Sequence, residues 1–482
     1  MPLIDWLFLI LLALLQMFAA GHALLYKRDP RAAWAWIVTC LLFPLLGPVL
    51  YFLLGINRVR TRAKKLKWHW PLLHAELNFD EDCCLPTSPE DTTICDFIVS
   101  PQFNRIAQVS EAITKRPLFS QNNIRVLFNG EQAYPAMLEA IDQASESVFL
   151  VTYLFDTGVV GRQFVQALSR AWKRGVDVRI MLDGIGEYYS YPRVGRLLKK
   201  HRIPFTRFLP PRIYPLSPFM NLRNHRKILV VDGRIGFTGG MNIGHRHLAK
   251  NLDNPSRIQD IHFRLTGPVA NQMEQVFLED WGFSTGNYDL EARTPTRGAG
   301  EAVCRTVTVG PNQDLNKLNV ILVGAVAMAE ERVRIMTPYF LPTRELVGAL
   351  QSAALRGVQV DIVLPAKNNL PFVHWATRNM LWELLMYGVR IYYQPPPFSH
   401  AKLFLVDDAY AIIGSANLDP RSLRLNFEMV IEVFEDGFGR SMTRHMDFII
   451  GESREVSLEE VDGRSLPERF RDSFFWLFSP YF

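Results

Sequence analysis

Cysteine is scarce in this chain, five residues in 482. Cys83, Cys84 and Cys95 fall in one stretch, but no fourth lies nearby, and His69 and His74 stand outside the usual ligand spacing. The pattern argues against a metal site and for free thiols in a reducing compartment. Dense positive charge is missing as well. A net charge of +5 without a basic stripe in the body of the chain argues against a nucleic-acid partner and fits an anionic membrane surface. The first apolar run also lacks the basic n-region of a cleaved signal peptide.

Long apolar runs are what the N-terminus does have. Residues 7–25 are almost unbroken and residues 32–54 form a second run, with the polar turn Lys27-Arg28-Asp29-Pro30-Arg31 between them. Each run is long enough to cross a hydrocarbon core of about 30 Å as a helix. Trp34, Trp36 and Tyr51 stand near the ends of the second, where interfacial aromatics belong. The expectation is a transmembrane helical hairpin over residues 1–57. Arg58, Arg60, Arg62, Lys64, Lys65 and Lys67 follow without an acid, which favours the cytoplasmic side for everything after residue 57. Pro44, Gly47 and Pro48 interrupt the second run and leave a shallower hairpin open.

Further along, one pattern occurs twice. His225, Lys227 and Asp232 sit in His225-Arg226-Lys227-Ile228-Leu229-Val230-Val231-Asp232, and the same spacing returns as His400, Lys402 and Asp407. Each triplet has four apolar residues before its Asp. After six more residues comes a glycine-led turn ending in Asn: Gly239-Gly240-Met241-Asn242 and Gly414-Ser415-Ala416-Asn417. In a strand, alternate residues share a face, so each His and Lys point the same way and the apolar run behind them is buried sheet. A phosphodiester repels nucleophiles until cations neutralise its oxygens. Two lysines, two asparagines and two histidines around one centre suit that need.

The duplication is wider than the motifs. Short strands ending at Gly130 and Gly310 each precede a helical stretch, then the apolar strands 148–155 and 333–340. Amphipathic helices follow, ending at Arg174-Gly175 and Arg356-Gly357, and then the buried strands 178–182 and 360–364. Strands alternating with helices of about ten to fifteen residues indicate α/β layers. The expected division is a hairpin at 1–57, a basic flank and linker at 58–123, and two related α/β sandwich domains at 124–303 and 304–482.

The paired motif resembles that of the phospholipase D superfamily, HxKxxxxD followed by GSxN, in which two copies face each other across a pseudo-dyad. The second copy matches in full; in the first, Gly240 stands where the family has Ser. From Asp5 onward the chain is similar to bacterial cardiolipin synthases, in its N-terminal runs, paired motifs and aromatic C-terminal end. The resemblance implies a multi-pass enzyme of the bacterial cytoplasmic (inner) membrane, with no cofactor and no metal. It would join two phosphatidylglycerols into cardiolipin and release glycerol. Hydrolysis to phosphatidic acid, or phosphatidylethanolamine as donor, would use the same site.

The resemblance also implies roles. His225 is the nucleophile and His400 the acid and base, although the motif's symmetry leaves the two interchangeable on residues alone. Lys227, Lys402, Asn242, Asn417, Ser415 and Gly240 (through its backbone) contact phosphate. Asp260 and Glu428 orient the histidines through Nδ1. Asp232 and Asp407 complete the catalytic set, but each points away from its lysine, where a hydrogen-bonding role at a strand end serves equally. His245, His247, His262 and His374 have no partner in the other repeat and read as packing or surface residues. Residues 204–223 interleave Arg and aromatics in a loop suited to headgroups. In residues 468–482, Phe470, Phe474, Leu477, Phe478 and Tyr481 form one face of an amphipathic helix.

Overall fold

In a computed structural model, residues 3–27, 30–55, 84–85, 101–211, 222–290, 292–311 and 316–479 are described. The basic cluster at 58–67 and the headgroup-loop residues Arg212, Tyr214 and Phe219 lie outside them. Two compact units result, residues 1–68 with 211–221, and the remainder.

In the first unit, α1 (Leu3–Tyr26) is apolar on all sides, and its stretch Ile4–Tyr26 is long and apolar enough to cross a membrane. The second arm differs from expectation. α2 (Pro30–Leu42) has 13 residues, about 20 Å at 1.5 Å per residue, and ends in a break at Phe43-Pro44-Leu45 before a short helix, Leu46–Leu50, and a π turn, Tyr51–Gly55. Pro44 has no N–H to continue the ladder. Gly47 then passes so close to the Thr39 carbonyl that a Cβ would lie 2.2 Å from it. The two arms do pair as a hairpin: the Gln16 side chain donates to the Cys40 and Leu41 carbonyls, and His22 Nδ1 lies 2.7 Å from the Tyr51 hydroxyl. Tyr51 and Trp36 are therefore packing residues at the centre of this unit, not interfacial anchors; Trp34 alone of the three is exposed.

The second unit is built on one 16-stranded sheet with a repeated strand order. The first half comprises β1 (Leu118–Phe128), β2 (Ser147–Thr152), β3 (Asp177–Asp183), β4 (Phe205–Phe208), β5 (Ile228–Val231), β6 (Ile235–Gly239) and β7 (Ile261–Thr266). The second half comprises β8 (Ala302–Val309), β9 (Arg332–Met336), β10 (Gln359–Pro365), β11 (Arg390–Gln394), β12 (Leu403–Val406), β13 (Tyr410–Gly414) and β14 (Glu428–Phe434). Outward from the centre the orders are β1-β7-β6-β5-β2-β3-β4 and β8-β14-β13-β12-β9-β10-β11, and antiparallel pairing of β1 with β8 makes the sheet continuous. The strands β2, β5 and β12 are buried, largely apolar runs, as expected for a sheet covered by helices on both faces, and β9 is almost wholly buried with Arg334 paired to Asp361 and Asp447. The predicted helix stops hold, with Gly175 and Gly357 at φ +89° and +92°.

Part of the stretch expected as linker is a helix, α3 (Pro101–Thr114), packed on the second half. Phe103 stacks on Tyr410, and the Ser110 hydroxyl donates to Glu432. The piece 205–208 of the proposed headgroup loop is instead strand β4, with Phe208 fully buried against Phe427 and Phe283. An apolar ring gains more there than at the surface.

Asp232 and Asp407 require correction as catalytic residues. Each ends its strand, about 16 Å beyond the lysine at roughly 3.3 Å per residue, and turns the chain at positive φ. The Asp232 carboxylate accepts the N–H groups of Ser145, Glu146 and Ser147, and Asp407 those of Glu330, Glu331 and Arg332. Burial pushes the Asp232 pKa up, but those bonds outweigh it and hold the group below the usual carboxylate value. Replacing either by Ala leaves three donors without that acceptor and is expected to cost about 1–3 kcal/mol of stability. Thermal unfolding should show the loss while turnover per folded molecule stays within a few-fold. A turnover loss of orders of magnitude at unchanged stability would return these residues to the catalytic set.

Candidate active site

The two motif histidines enter the site just before β5 and β12, in extended segments that cross to the other half. Asn224 bridges Phe427 in parallel, with His225 N–H donating to the Phe427 carbonyl at 2.9 Å. Phe398–Ser399 pairs in parallel with Ile258–Gln259, and His400 N–H donates to the Gln259 carbonyl at 2.8 Å. One residue beyond each bridge, a histidine and a carboxylate from opposite halves stand side by side.

The orienting pairs are therefore crossed. His225 Nδ1 lies 2.8 Å from Glu428 Oε1, and His400 Nδ1 lies 3.0 Å from Asp260 Oδ2. Each acid follows the other histidine's half in sequence. A carboxylate on Nδ1 selects the tautomer with the proton there and leaves Nε2 as the reactive nitrogen. Glu428 is fully buried and held further by the Ser415 hydroxyl at 2.6 Å and the Asn426 amide at 3.3 Å. Burial raises its pKa, but His225 and Lys227 outweigh that and keep it below the usual value. Asp260 differs: burial pushes it up against the opposing Lys402.

Ser415 and Gly240, expected at the phosphate, lie against the two orienting acids. The Ser415 hydroxyl is spent on Glu428 and its N–H on the Met429 carbonyl. At Gly240 the N–H donates to the Ile261 carbonyl, and a Cβ would stand 2.3 Å from Asp260 Oδ1. One side thus clamps its longer acid with a hydroxyl, and the other makes room for its shorter acid by having no side chain. The preceding glycines, Gly239 and Gly414, share φ near +148° and +149°, and a Cβ would collide with the neighbouring strand at either.

Both lysines lie inward. Lys227 Nζ donates to the His225 carbonyl and Lys402 Nζ to the His400 carbonyl, each at 2.6 Å, and Lys402 Nζ is also 3.2 Å from His400 Nε2. Loss of water around the ammonium, above all, lowers Lys227 to about 7 and Lys402 to about 8. Burial and the two lysines likewise lower both histidines, and Glu428 opposes the shift at His225, while His400 is lowered further. The cluster is short of negative charge, and an anion placed among these groups supplies it. Asn242 and Asn417 are buried at the ends of their turns. Asn242 Oδ1 accepts the Leu154 N–H, while the Asn417 amide donates to the Ser422 hydroxyl. His225 and Asn417 line an open cavity with Tyr153, Tyr339, Leu370 and Val373. Among the described residues no group of acids, histidines and cysteines could hold a metal ion.

His247 is a site neighbour that lacked any repeat signal. It is buried, accepts the Asn242 N–H at 3.3 Å through Nε2, and its ring centroid lies 6.4 Å from that of His400. Its only signal in the sequence is position, five residues after Asn242. Tyr134, from the helix Asn129–Gln143, bonds the carbonyls of Asn242 and Gly244 and fixes the same turn.

Residues 137–281 and 322–449 match the family described as cardiolipin synthase, PLD-like domain, and residues 14–55 match the phospholipase D-nuclease N-terminal family. Cardiolipin synthase 1 of Bacillus cereus is 30% identical over 94% of this chain and 90% of its own length. The major cardiolipin synthase of Bacillus subtilis is 29% identical, over 98% and 96%. In fold, the crystal structure of a phosphatidylserine synthase from Haemophilus influenzae aligns with a TM-score of 0.60 at 14% identity, covering 79% of this chain and 100% of that one.

The lowered lysine pKa values make a binding signature. At pH 8 Lys227 is mostly neutral, an arriving anion favours its charged form, and protons are taken up from solution. Calorimetric titration of inorganic phosphate in two buffers of different ionisation heat should show uptake of about one proton per site. Lys227→Met should remove most of it, and no buffer dependence in the unaltered protein would contradict this electrostatic description.

Proposed function

Because the chain belongs to the cardiolipin synthase family of phospholipase D-like proteins, we propose that it transfers the phosphatidyl group of one phosphatidylglycerol to the terminal hydroxyl of another. Cardiolipin forms and glycerol leaves. The observation that carries the reading is the pair of crossed imidazole–carboxylate contacts with two buried lysines between them.

His225 Nε2 attacks phosphorus and a phosphatidyl-histidine forms as the P–O bond to glycerol breaks. His400 gives the leaving oxygen its proton, then takes one from the incoming hydroxyl, whose oxygen displaces His225. Lys227, Lys402, Asn242 and Asn417 face the phosphate oxygens, while Glu428 and Asp260 hold the imidazoles and stabilise the cation that develops on each. Both bonds exchanged are phosphodiesters, so no activated donor is needed, and the lysines take the part that divalent ions play in other phosphoryl enzymes. The N-terminal hairpin anchors the enzyme in the cytoplasmic membrane, with the catalytic halves on the side of the basic cluster at 58–67.

Protein in phosphatidylglycerol vesicles is expected to yield cardiolipin and glycerol in roughly equal amounts, without nucleotide and in excess chelator. Phosphatidic acid as the main product, or abolition by chelator, would sink the synthase reading. The roles are separable by trapping labelled lipid on the protein. His225→Ala should trap none. His400→Ala should still trap some, because losing a general acid typically slows a step by about 10²–10⁴-fold without erasing it. Label on His400 in the His225→Ala protein would reverse the two.

A further inference from the structure

Two sets of exposed aromatics stand at related places around the site. After β3 the chain makes a turn, Gly186–Tyr189, and then the helix Val194–Lys200. Tyr188, Tyr189 and Tyr191 are exposed on this connection, Tyr191 at 90%. The Arg193 guanidinium lies over the Tyr188 ring at 3.6 Å. Tyr189 leads back to the site through ring contacts, 6.4 Å to Tyr153 and 5.1 Å from Tyr153 to His225. After β10, the corresponding strand of the other half, comes the helix Pro371–Arg378. It lends Val373 to the cavity wall and carries on its other side the C-terminal helix, Leu466–Trp476.

That C-terminal helix is docked through Asp472 together with Phe475 and Trp476. Asp472 is fully buried and bonds Arg378, Arg464 and Arg471, and Phe475 packs on Trp375 with centroids 5.0 Å apart. The apolar side is left outward: Phe470 is 77% exposed, and Phe474, Leu477 and Phe478 are exposed beside it. Tyr481 lies outside the described residues. A solvated helix normally has the opposite arrangement.

We infer that these two patches are the pads on which the catalytic unit rests on an anionic bilayer, holding the cavity mouth at headgroup level. Tyrosines with an apolar body and a polar tip belong at that depth, and phenylalanines go slightly deeper. Charge agrees. From Tyr188 to Lys200 the chain has Arg193, Arg196, Lys199 and Lys200 and no acid, and Arg469 is exposed beside Phe470. A phosphatidyl headgroup then reaches His225 while its acyl chains stay in the leaflet. This rests on the lipid substrate proposed above, so its test needs a readout independent of turnover.

The full chain with Tyr188→Ser, Tyr191→Ser, Phe470→Ser and Phe474→Ser is assayed on phosphatidylglycerol vesicles and on monomeric dihexanoyl-phosphatidylglycerol. Activity on vesicles is expected to fall about tenfold or more, the loss of roughly one buried aromatic's transfer energy, with activity on the monomeric lipid within about twofold. Separately, Tyr191 or Phe474 replaced by p-benzoylphenylalanine should gain phospholipid mass on irradiation in vesicles, whether or not cardiolipin is made. Equal loss on both substrates with lowered thermal stability would mean the patches only support the fold. Cross-linking to a second copy of the chain in place of lipid would mean they are an interface. Either result overturns the proposal.

Discussion

Glu428 and Asp260 each cross the dyad to reach a histidine, and the rest of the catalytic unit follows from that exchange. A carboxylate with no water around it is tolerated only when its lone pairs are taken up, and here the partners come from both halves. Neither half alone presents a histidine with its acid. The continuous sheet through β1 and β8, and the two short parallel pairings that carry His225 and His400 across, are the means of delivery. Two lysines buried beside these pairs leave a local excess of positive charge suited to a phosphodiester.

Symmetry in the backbone does not extend to the chemistry of the two sides. Ser415 clamps Glu428, whereas Gly240 only vacates space for Asp260. Tyr134 and His247 brace the first turn, and Ser422 meets Asn417 on the second. His225 and Lys227 outweigh burial at Glu428 and hold it below its usual pKa, whereas burial wins at Asp260 and pushes it above. Two histidines with identical motif spacing thus stand in different fields, a condition for one to attack while the other moves protons.

Much of this is legible in the sequence. Strands β2, β3, β5 and their counterparts fall where apolar runs and glycine stops place them, because burial on both faces of a sheet writes itself into consecutive residues. The same spacing puts His225 beside Lys227. Of the two forms the sequence leaves open for the second N-terminal arm, the structure has the interrupted one: hydropathy counts side chains, while Pro44 and the contact of Gly47 with Thr39 act through the backbone. Tyr51 and Trp36, assigned to a membrane interface by position, pack inside the hairpin because His22 and each other are within reach.

The sequence by itself determined the reacting groups, their duplication and the faces they occupy, since these depend on spacings of two to ten residues. Only the tertiary structure decided that His225 belongs to Glu428 and His400 to Asp260, pairs 203 and 140 residues apart. It also decided that Asp232 and Asp407 bind turns and that Ser415 binds an acid. Local periodicity states which way a side chain points; what it meets there is set by how two halves pack, and that packing energy is spread over many residues far from the motif.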